Sequence, residues 1–278
     1  MLHSDRPKVP SGRQTVTERF VDSGLRADIV AVNKPVLPTG VAIDPSCLQY
    51  ALTEAERIEF DERGYIVLED LLTENQITDL EKACDAVDRE VREERGIGPH
   101  ARLTVRDVMW RDPSLLELVD LPTALPKIWE LLGWNIQIYH TVIAYSPPDA
   151  PENREVKHQG WHQDSGQLNR DLEYSPRPMV SLKVAYFLSD CMEEGMANFW
   201  VVPGSQLVDY VRPEDRSVPE GAVPVFVPRG GAVVFGLPFT NARLHAYGSR
   251  MTPRRIGAIW FRKNSPTGGR DRSRRCGR

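Results

Sequence analysis

The sequence is poor in cysteine, has no excess of basic charge and contains no long apolar run. Its four cysteines lie far apart and form no CxxC pair, which argues against a disulfide framework and against a thiolate zinc site. They are Cys47, Cys84, Cys191 and Cys276. The formal net charge of -4 gives no sign of the basic surface that nucleic-acid binding proteins usually carry. We therefore expect reduced thiols and no nucleic-acid partner.

Membrane and secretion signals are equally weak. No segment offers the roughly 18 uninterrupted apolar residues of a membrane-spanning helix. The first residues, MLHSDRPKVPSGRQ, lack the apolar core of a signal peptide. With 41% hydrophobic and 27% charged residues, the composition is that of an ordinary globular protein. We expect a cytoplasmic protein that makes no membrane contact.

The chain divides by composition into three parts. Residues 1–50 are rich in proline, aspartate and serine without a sustained period, which predicts an irregular N-terminal arm. Residues 51–263 carry the periodic apolar patterns of one globular domain. The arginine-rich run at 264–278 is typical of a disordered basic tail.

Two helix starts are marked by the same capping pattern. Thr53 with Glu56, and Thr73 with Gln76, form capping boxes in which each side chain bonds the other residue's backbone N–H. The first helix is predicted over about 54–63, followed by a strand at 65–68. In the second helix one apolar face is formed by Ile77, Leu80, Cys84, Val87 and Val91. This face predicts packing on a sheet.

From about residue 134 the pattern changes to short strand-like runs separated by glycine and proline. These runs are NIQIYHTVIAY, SLKVAYFLSD, ANFWVVPGS, VPVFVPRGGAVVFG and RRIGAIWF. Many short strands at this spacing favour a sandwich or barrel over alternating βαβ units. The fold class is therefore predicted to be α+β, with helices first and a mainly antiparallel β core after them.

A histidine and an aspartate lie two residues apart in the stretch GWHQDSGQ, residues 160–167. Because residues i and i+2 of a strand point to one face, His162 and Asp164 would present an imidazole and a carboxylate side by side. Two histidines and a carboxylate on one face are typical of non-heme Fe(II) sites. The pair predicts two metal ligands, and a structural His–Asp hydrogen bond is the plain alternative.

The third ligand must come from a distant part of the chain. Among the six histidines, His245 is the best candidate, because it follows the strand-like GGAVVFG and precedes RRIGAIWF. His140 is the reserve. Arg254 and Arg255 open the last strand, where an inward-pointing guanidinium would hold a carboxylate through two parallel hydrogen bonds.

Five segments, taken in order, resemble one enzyme family. They are LTEAERIEFDERGYIVLEDLLTENQITDLEKA, GWHQD, LSDCMEEGMANFWVVPGSQ, VPRGGAVVFG and LHAYGSRMTPRRIGAIWF, and they span roughly residues 52–262. Together they resemble the phytanoyl-CoA dioxygenase family of iron(II)- and 2-oxoglutarate-dependent oxygenases. The resemblance implies a double-stranded β-helix (jelly-roll, cupin-like) core with the N-terminal helices packed on the outer face of its major sheet. It also implies that 51–263 is a single catalytic domain.

The resemblance assigns roles to individual residues. His162 and Asp164 take the positions of the first two iron ligands and His245 that of the third. Arg254 takes the position that binds the distal carboxylate of 2-oxoglutarate. Arg255 is the alternative, because a one-residue slip reverses the face of a strand. The stretch from His245 to Arg254 is shorter than in many members of the family.

The reaction that the resemblance implies consumes O2 and 2-oxoglutarate and releases succinate and CO2. An unactivated carbon of a small molecule, such as a natural-product or amino-acid-like intermediate, is hydroxylated or otherwise oxidised. Halogenating relatives lack the carboxylate ligand, so Asp164 disfavours halogenation.

Further residues are candidates for the substrate pocket. They are His140, Gln159, Gln163, Gln167, Asn198 and Trp200. The segment 145–157, containing SPPDAPENREVK, is predicted to be a loop that covers the mouth of the site. Two other readings stay open: a cupin-like metalloenzyme that does not use 2-oxoglutarate, and a non-catalytic binding protein on the same scaffold.

Overall fold

The computed structural model describes residues 49–133, 135–147, 158–163, 179–208, 217–236, 240–244 and 254–263. The predicted tail and almost all of the predicted arm lie outside these ranges. Within them the helices are α1 (Glu54–Arg63), α2 (Glu74–Arg95), α3 (Pro113–Leu116) and α4 (Leu125–Leu132). The strands are β1 (Tyr65–Leu68), β2 (Leu103–Arg106), β3 (Ile136–Ser146), β4 (His158–Gln163), β5 (Ser181–Phe187), β6 (Phe199–Val201), β7 (Val223–Val225), β8 (Ala232–Gly236), β9 (Thr240–Leu244) and β10 (Arg254–Lys263).

Helices α1 and α2 begin at the predicted capping boxes. The Thr53 hydroxyl accepts a hydrogen bond from the Glu56 backbone N–H at 3.2 Å, while the Glu56 carboxylate accepts one from the Thr53 backbone N–H at 2.7 Å. Thr73 and Gln76 make the same reciprocal pair. Gly64 then ends α1 with φ 82°, a left-handed conformation that glycine adopts without steric cost. The predicted first helix, following strand and second helix start are confirmed.

The ten strands form two antiparallel sheets. The larger has the order β1-β8-β5-β10-β3-β2, and the smaller has the order β4-β9-β6-β7. Several strands that are neighbours in a sheet are distant in the chain, as for β10 between β3 and β5. Strands β1 and β2 come from the N-terminal part and form the two edges of the large sheet. The helical and strand regions are therefore interleaved rather than separate.

One face of the large sheet packs on the helices. The predicted apolar face of α2 is fully buried and shares a core cluster with alternate residues of β5, namely Leu182, Val184 and Tyr186. Two buried tyrosines tie the layers together. The Tyr145 hydroxyl donates to the Cys84 carbonyl at 2.7 Å, and the Tyr186 hydroxyl donates to the Leu118 carbonyl at 3.3 Å. The sheet packing predicted for α2 is confirmed.

The opposite face of the large sheet packs on the small sheet. The other residues of β5, Ala185 and Phe187, share a second core cluster with Phe199 and Val201 of β6 and with Val225 of β7. The Phe199 ring contacts the Phe235 ring of β8, with centroids 4.8 Å apart. The described chain is thus three layers deep, with helices, the large sheet and the small sheet in that order. We call the large-sheet surface that meets the small sheet its inner face.

Several elements differ from the sequence-based predictions. Strand β2 and helices α3 and α4 had no predicted counterpart. The loop predicted over residues 145–157 starts too early, because Tyr145 and Ser146 are the last two residues of β3 and both are buried. Residues 148–157 lie outside the described part. Among the helices that the structure describes, none is long and apolar enough to cross a membrane.

Candidate functional site

His162 lies near the end of β4, on the face of the small sheet that meets the large sheet. It pairs with Asn241 of β9, and Asn241 pairs with Val201, whose side chain is buried between the two sheets. Directly paired residues share a face, so His162 lies on the face that meets the large sheet. The neighbouring Trp161 clusters instead with Trp200 and Val202 and is buried. His162 itself is exposed, as a residue at the mouth of a site would be.

The connection between β8 and β9 shows which end of the large sheet lies near His162. Gly236, the last residue of β8, pairs with Leu182, and Thr240, the first residue of β9, pairs with Gln163. Only three residues separate Gly236 from Thr240, so the two positions are at most about 14 Å apart. The start of β5 therefore lies at the same end of the two-sheet unit as His162. We call this the His162 end.

Along β5, the inner face of the large sheet is polar at the His162 end and apolar beyond it. Ser181 and Lys183, the first inward residues of β5, are both buried. The Ser181 hydroxyl oxygen is 2.9 Å from the Tyr139 hydroxyl oxygen. The next inward residues of β5 are Ala185 and Phe187. Lys183 was not a predicted site residue. The sequence feature that could have identified it is a single cation within the apolar run SLKVAYF.

His140 lies in the same row as Lys183. Both residues pair with Trp260 of β10, one from each side. The His140 Nδ1 is 3.9 Å from a carboxylate oxygen of Asp107, too far for a direct hydrogen bond. Its side chain keeps 28% of its surface exposed. This position fits the predicted pocket-lining role and keeps His140 on the opposite sheet from His162.

The same row contains a buried tyrosine of β1. Tyr65 pairs with Phe235, which in turn pairs with Lys183. Burial raises the pKa of the Tyr65 hydroxyl, although the Arg63 guanidinium beside it lowers that pKa in part. The hydroxyl accepts a hydrogen bond from Arg63. Tyr65 is therefore a protonated, fixed part of this end of the inner face.

The two candidate arginines occupy opposite rows of β10. Arg254 pairs with Ser146 of β3. Ile256, two residues along the same strand, is in the same row as Arg254 and pairs with Phe187 of the inner face. Arg255 pairs with Tyr145, whose side chain belongs to the helix-facing core. The register thus gives Arg254 an inner-face position and Arg255 a helix-facing one. Ser146, opposite Arg254, is itself 2% exposed.

Three of the predicted site residues lie outside the described residues: Asp164, Gln167 and His245. Within the described part, no group of three His, Cys, Asp or Glu side chains is placed to hold a metal. Strand β9 ends at Leu244, which pairs with His158, and a bulge shifts the β4 register between Gln159 and His162. The residue that precedes His245 therefore lies opposite His158.

Two residues that are predicted to line the pocket make scaffold contacts. Asn198 is fully buried, and its side-chain amide accepts from the Met196 backbone N–H at 3.1 Å and donates to the Cys191 carbonyl at 3.0 Å. Trp200 lies on the side of the small sheet that faces away from the large one. Gln163 is half-buried and pairs with Thr240 near His162, and Gln159 pairs with Arg243 farther along β4.

Two of the sequence phrases that carry the resemblance also have structural roles. In VPGS, Gly204 donates its backbone N–H to the Arg63 carbonyl at 3.1 Å and so fixes this turn to the end of α1. In VPRGG, Arg229 binds the carboxylates of Glu74 and Glu81 on α2. These phrases hold the strand ends to the helices.

Comparison with known structures finds the same fold at low sequence identity. HygX from Streptomyces hygroscopicus, solved with nickel and 2-oxoglutarate bound, is 14% identical with a TM-score of 0.58, covering 77% of this chain and 88% of that chain. SnoK, a non-heme alpha-ketoglutarate-dependent carbocyclase of nogalamycin biosynthesis, is 20% identical with a TM-score of 0.56, covering 76% and 84%. SnoN, an epimerase of the same biosynthesis, is 14% identical with a TM-score of 0.56, covering 79% and 82%.

Sequence comparison leads to a family rather than to an individual relative. No curated protein matches the chain significantly. The phytanoyl-CoA dioxygenase (PhyH) family model matches residues 60–238, which is more than half of the chain and includes the GWHQD segment and all of the described strands except β9 and β10. The chain therefore belongs to the phytanoyl-CoA dioxygenase family.

Proposed function

We propose that this protein is an Fe(II)- and 2-oxoglutarate-dependent oxygenase that oxidises an unactivated carbon of a small molecule. The observation that carries the proposal is the exposed imidazole of His162, on the inner row of the small sheet and at the polar end of the inner face. Family membership and the 2-oxoglutarate bound to HygX support the same chemistry. We infer that the two sheets form the jelly roll of this family.

The proposed iron ligands are His162, Asp164 and His245. Two imidazoles and one carboxylate are the donor set that suits non-heme Fe(II), and they leave positions open for co-substrate and oxygen. Of these residues, His162 has a described side chain, and its position and exposure fit the role. His140 is the reserve for His245. The bound metal would supply the activation of O2 that no protein side chain provides.

Arg254 is the proposed partner of the distal carboxylate of 2-oxoglutarate. Its register position belongs to the inner face, whereas that of Arg255 belongs to the helix-facing core. A guanidinium can bind a carboxylate through two parallel hydrogen bonds, which fixes orientation as well as charge. The buried Ser146 opposite Arg254 would offer a hydroxyl to the same carboxylate.

The remaining contribution of the chain is to position the reactants and to exclude water. The apolar residues beyond the His162 end, including Ala185 and Phe187, close the far part of the inner face. We propose hydroxylation as the default outcome. Because SnoK and SnoN are a carbocyclase and an epimerase, the same scaffold carries other oxidative outcomes. A carboxylate at Asp164 disfavours halogenation.

The direct test is the visible spectrum of the anaerobic protein after addition of Fe(II) and 2-oxoglutarate. Chelation of the 2-oxo acid to iron gives a metal-to-ligand charge-transfer band, which we expect in the wild type and expect to be lost in His245→Ala. The matched control is His158→Ala, because His158 lies opposite the strand end next to His245. Loss of the band in His158→Ala with retention in His245→Ala would overturn the ligand assignment.

The arginine assignment is tested by a second pair of variants. Arg254→Ala should raise the 2-oxoglutarate concentration needed for half-maximal band intensity by tenfold or more, whereas Arg255→Ala should change it little. The opposite order would assign the role to Arg255. Bound iron without any band in the wild type would reject the use of 2-oxoglutarate altogether and favour a cupin-like metalloenzyme.

A further inference from the structure

Arg106 is an exposed arginine of β2, on the side of the large sheet that faces the small sheet. It pairs with Val142 of β3, whose side chain belongs to the core cluster between the two sheets. Leu103 and Val105 of the same strand are buried in the helix-facing core instead. Because alternate residues of a strand point to opposite faces, Arg106 takes an inner-face position. Since β2 is an edge strand, this position is at the rim of the inner face.

The charge of Arg106 is available to a ligand. Within the described part of the chain, no carboxylate forms an ion pair with Arg106, whereas Arg92 and Arg229 each bind one. The adjacent carboxylate, that of Asp107, is 3.9 Å from the Nδ1 atom of His140. An exposed guanidinium keeps its hydration, so this position costs the fold little and contributes little to its stability. The described contacts therefore give Arg106 no structural role.

Arg106 and the proposed co-substrate arginine lie at different heights on the sheet. Arg254 pairs with Ser146, and Arg106 pairs with Val142, four residues earlier on β3. Four residues of a strand span about 13 Å. The five-carbon chain of 2-oxoglutarate is shorter than this distance. Arg106 and Arg254 can therefore bind different ligands at the same time.

Arg106 lies between the Arg254 row and the His162 end. On β3 the His162 end is at Gln137, because Gln137 and Ser181 pair with the same residue of β10. The β3 position opposite Arg106 lies between Gln137 and the Arg254 row. Iron that is bound by His162 and by a 2-oxoglutarate held at Arg254 must lie between the same two ends. The rim position of Arg106 is therefore beside the stretch of the inner face where a substrate would meet the iron.

The surface next to Arg106 combines a polar rim with an apolar floor. Thr104, two residues before Arg106 and of the same parity, is exposed at the rim. Toward the centre of the sheet, Val142 and Ala185 belong to the apolar cluster between the sheets. A guanidinium at such a rim can bind a carboxylate or a phosphate through two parallel hydrogen bonds. An acidic group bound there would leave the attached carbon skeleton to lie over the apolar floor.

We propose that Arg106 binds an oxyanion of the substrate, a carboxylate or a phosphate, so that the substrate class is a small acidic molecule. This inference rests on the proposed function, because it takes the reacting iron to lie between His162 and Arg254. Arg106 is then a specificity-determining residue that holds the acidic end of the substrate at the rim. The carbon to be oxidised lies farther inside, on the apolar part of the same molecule.

The test uses three probes that share a phenylalkyl group: 3-phenylpropanoate, 2-phenylethyl phosphate and neutral 3-phenylpropanamide. Each is titrated into the anaerobic Fe(II) protein at saturating 2-oxoglutarate, and the shift of the charge-transfer band gives its dissociation constant. We expect the better-bound acid to bind roughly tenfold more tightly than the amide in the wild type. Arg106→Met should remove this preference, and Arg106→Lys should keep part of it. Whichever acid binds more tightly identifies the oxyanion.

Two controls separate binding at Arg106 from general effects of charge. Arg89→Met makes the same change at an exposed arginine of α2 and should leave the acid preference intact. The affinity of Arg106→Met for 2-oxoglutarate, measured from the same band, should match that of the wild type. A thermal unfolding curve of each variant checks that it is folded at the temperature of the titration.

Every other outcome overturns the proposal. Equal binding of the acids and the amide by the wild type would mean that the site does not select an anion. An acid preference that survives in Arg106→Met would place the selecting group elsewhere. A loss of 2-oxoglutarate affinity in Arg106→Met, or displacement of 2-oxoglutarate by the acids, would assign the anion site to the co-substrate. Absence of the band in the wild type, by contrast, would reject the proposed function itself.

Discussion

The two faces of β5 carry different kinds of residue on one strand. Toward the helices, Leu182, Val184 and Tyr186 are fully buried in a continuous apolar core. Toward the small sheet, the strand begins with Ser181 and Lys183 before it becomes apolar. The helix-facing residues are explained by packing alone. The inner residues at the His162 end are not, because a buried charge gains nothing from packing.

This difference separates the residues that build the scaffold from those that we propose to meet a ligand. The helix-facing core depends on the volume and shape of its side chains, so substitutions there should change stability. The inner face at the His162 end depends on charge and coordination, so substitutions there should change binding. The following substitutions test that separation, from the largest expected effect to the smallest.

Removal of the His162 imidazole should have the largest effect. We expect His162→Ala to abolish the charge-transfer band with Fe(II) and 2-oxoglutarate, because one of the three proposed ligands is lost. Its thermal midpoint should change little, since the side chain is exposed. His100→Ala, at another exposed histidine, is the matched control and should keep the band. If His162→Ala keeps the band, the assignment of the first ligand is wrong.

A cavity in the helix-facing core should reduce stability without removing the iron site. Leu182→Ala removes a fully buried side chain and should lower the free energy of unfolding by about 2–5 kcal/mol. The variant should still show the charge-transfer band at temperatures where it is folded. Urea unfolding followed by tryptophan fluorescence measures the first effect. A folded Leu182→Ala variant without the band would show that the two faces of β5 are coupled.

Two glycines at the large sheet should respond differently to the same substitution. A Cβ on Gly231 would lie 2.9 Å from the Leu68 carbonyl oxygen, whereas a Cβ on Gly257 would meet nothing within 4 Å. Gly231→Ala should therefore lower the free energy of unfolding by about 1–3 kcal/mol. Gly257→Ala should leave it equal or raise it by about 0.5–1 kcal/mol, because alanine restricts the unfolded chain more than glycine does. Chemical denaturation of both variants gives the comparison, and equal losses would contradict it.

The smallest effect concerns a buried hydroxyl and depends on pH. Burial raises the pKa of Tyr186 well above its ordinary value of 10.0, so the folded protein keeps the proton that the unfolded chain releases in alkali. The stability that the buried, protonated Tyr186 hydroxyl contributes is complete below pH 10 and is lost as the pH rises above it. Tyr186→Phe should cost about 0.5–1.5 kcal/mol at pH 8, through loss of the hydrogen bond to Leu118. At pH 10.5 or above, the wild type should lose its higher free energy of unfolding relative to Tyr186→Phe. A constant difference across this range would argue against a buried, protonated hydroxyl.

Local sequence signals predicted the elements that depend on neighbours in the chain. The capping boxes at Thr53 and Thr73 placed the starts of α1 and α2, because each cap is closed by a residue three positions away. The apolar face of α2 was equally readable from its spacing. Helix α4 was missed because it lacks a side-chain cap. Its buried Lys127 binds the Glu56 carboxylate and the Ala51 carbonyl, which only the fold brings beside it.

The candidate site was predicted in part. His162 was identified from its spacing to Asp164, and the two arginines from their place before an apolar strand. The distinction between Arg254 and Arg255 needed the pairing of β10 with β3, because either parity fits the sequence. The structure shows that the Asn198 amide holds the loop between β5 and β6, and its predicted place in the pocket stays a prediction. No role was predicted for Lys183, since a lysine in a strand is usually exposed.

The sequence by itself determined the family, the order of the strands along the chain and the identity of the candidate ligands. These properties depend on residue type and on short spacings, which persist without any tertiary contact. The tertiary structure alone decided which residues share a face and which end of the sheets is polar. Strand neighbours such as β10 and β3 are more than a hundred residues apart, so their register is set by packing between layers. That register places His162 and Lys183 at the same end of the two-sheet unit.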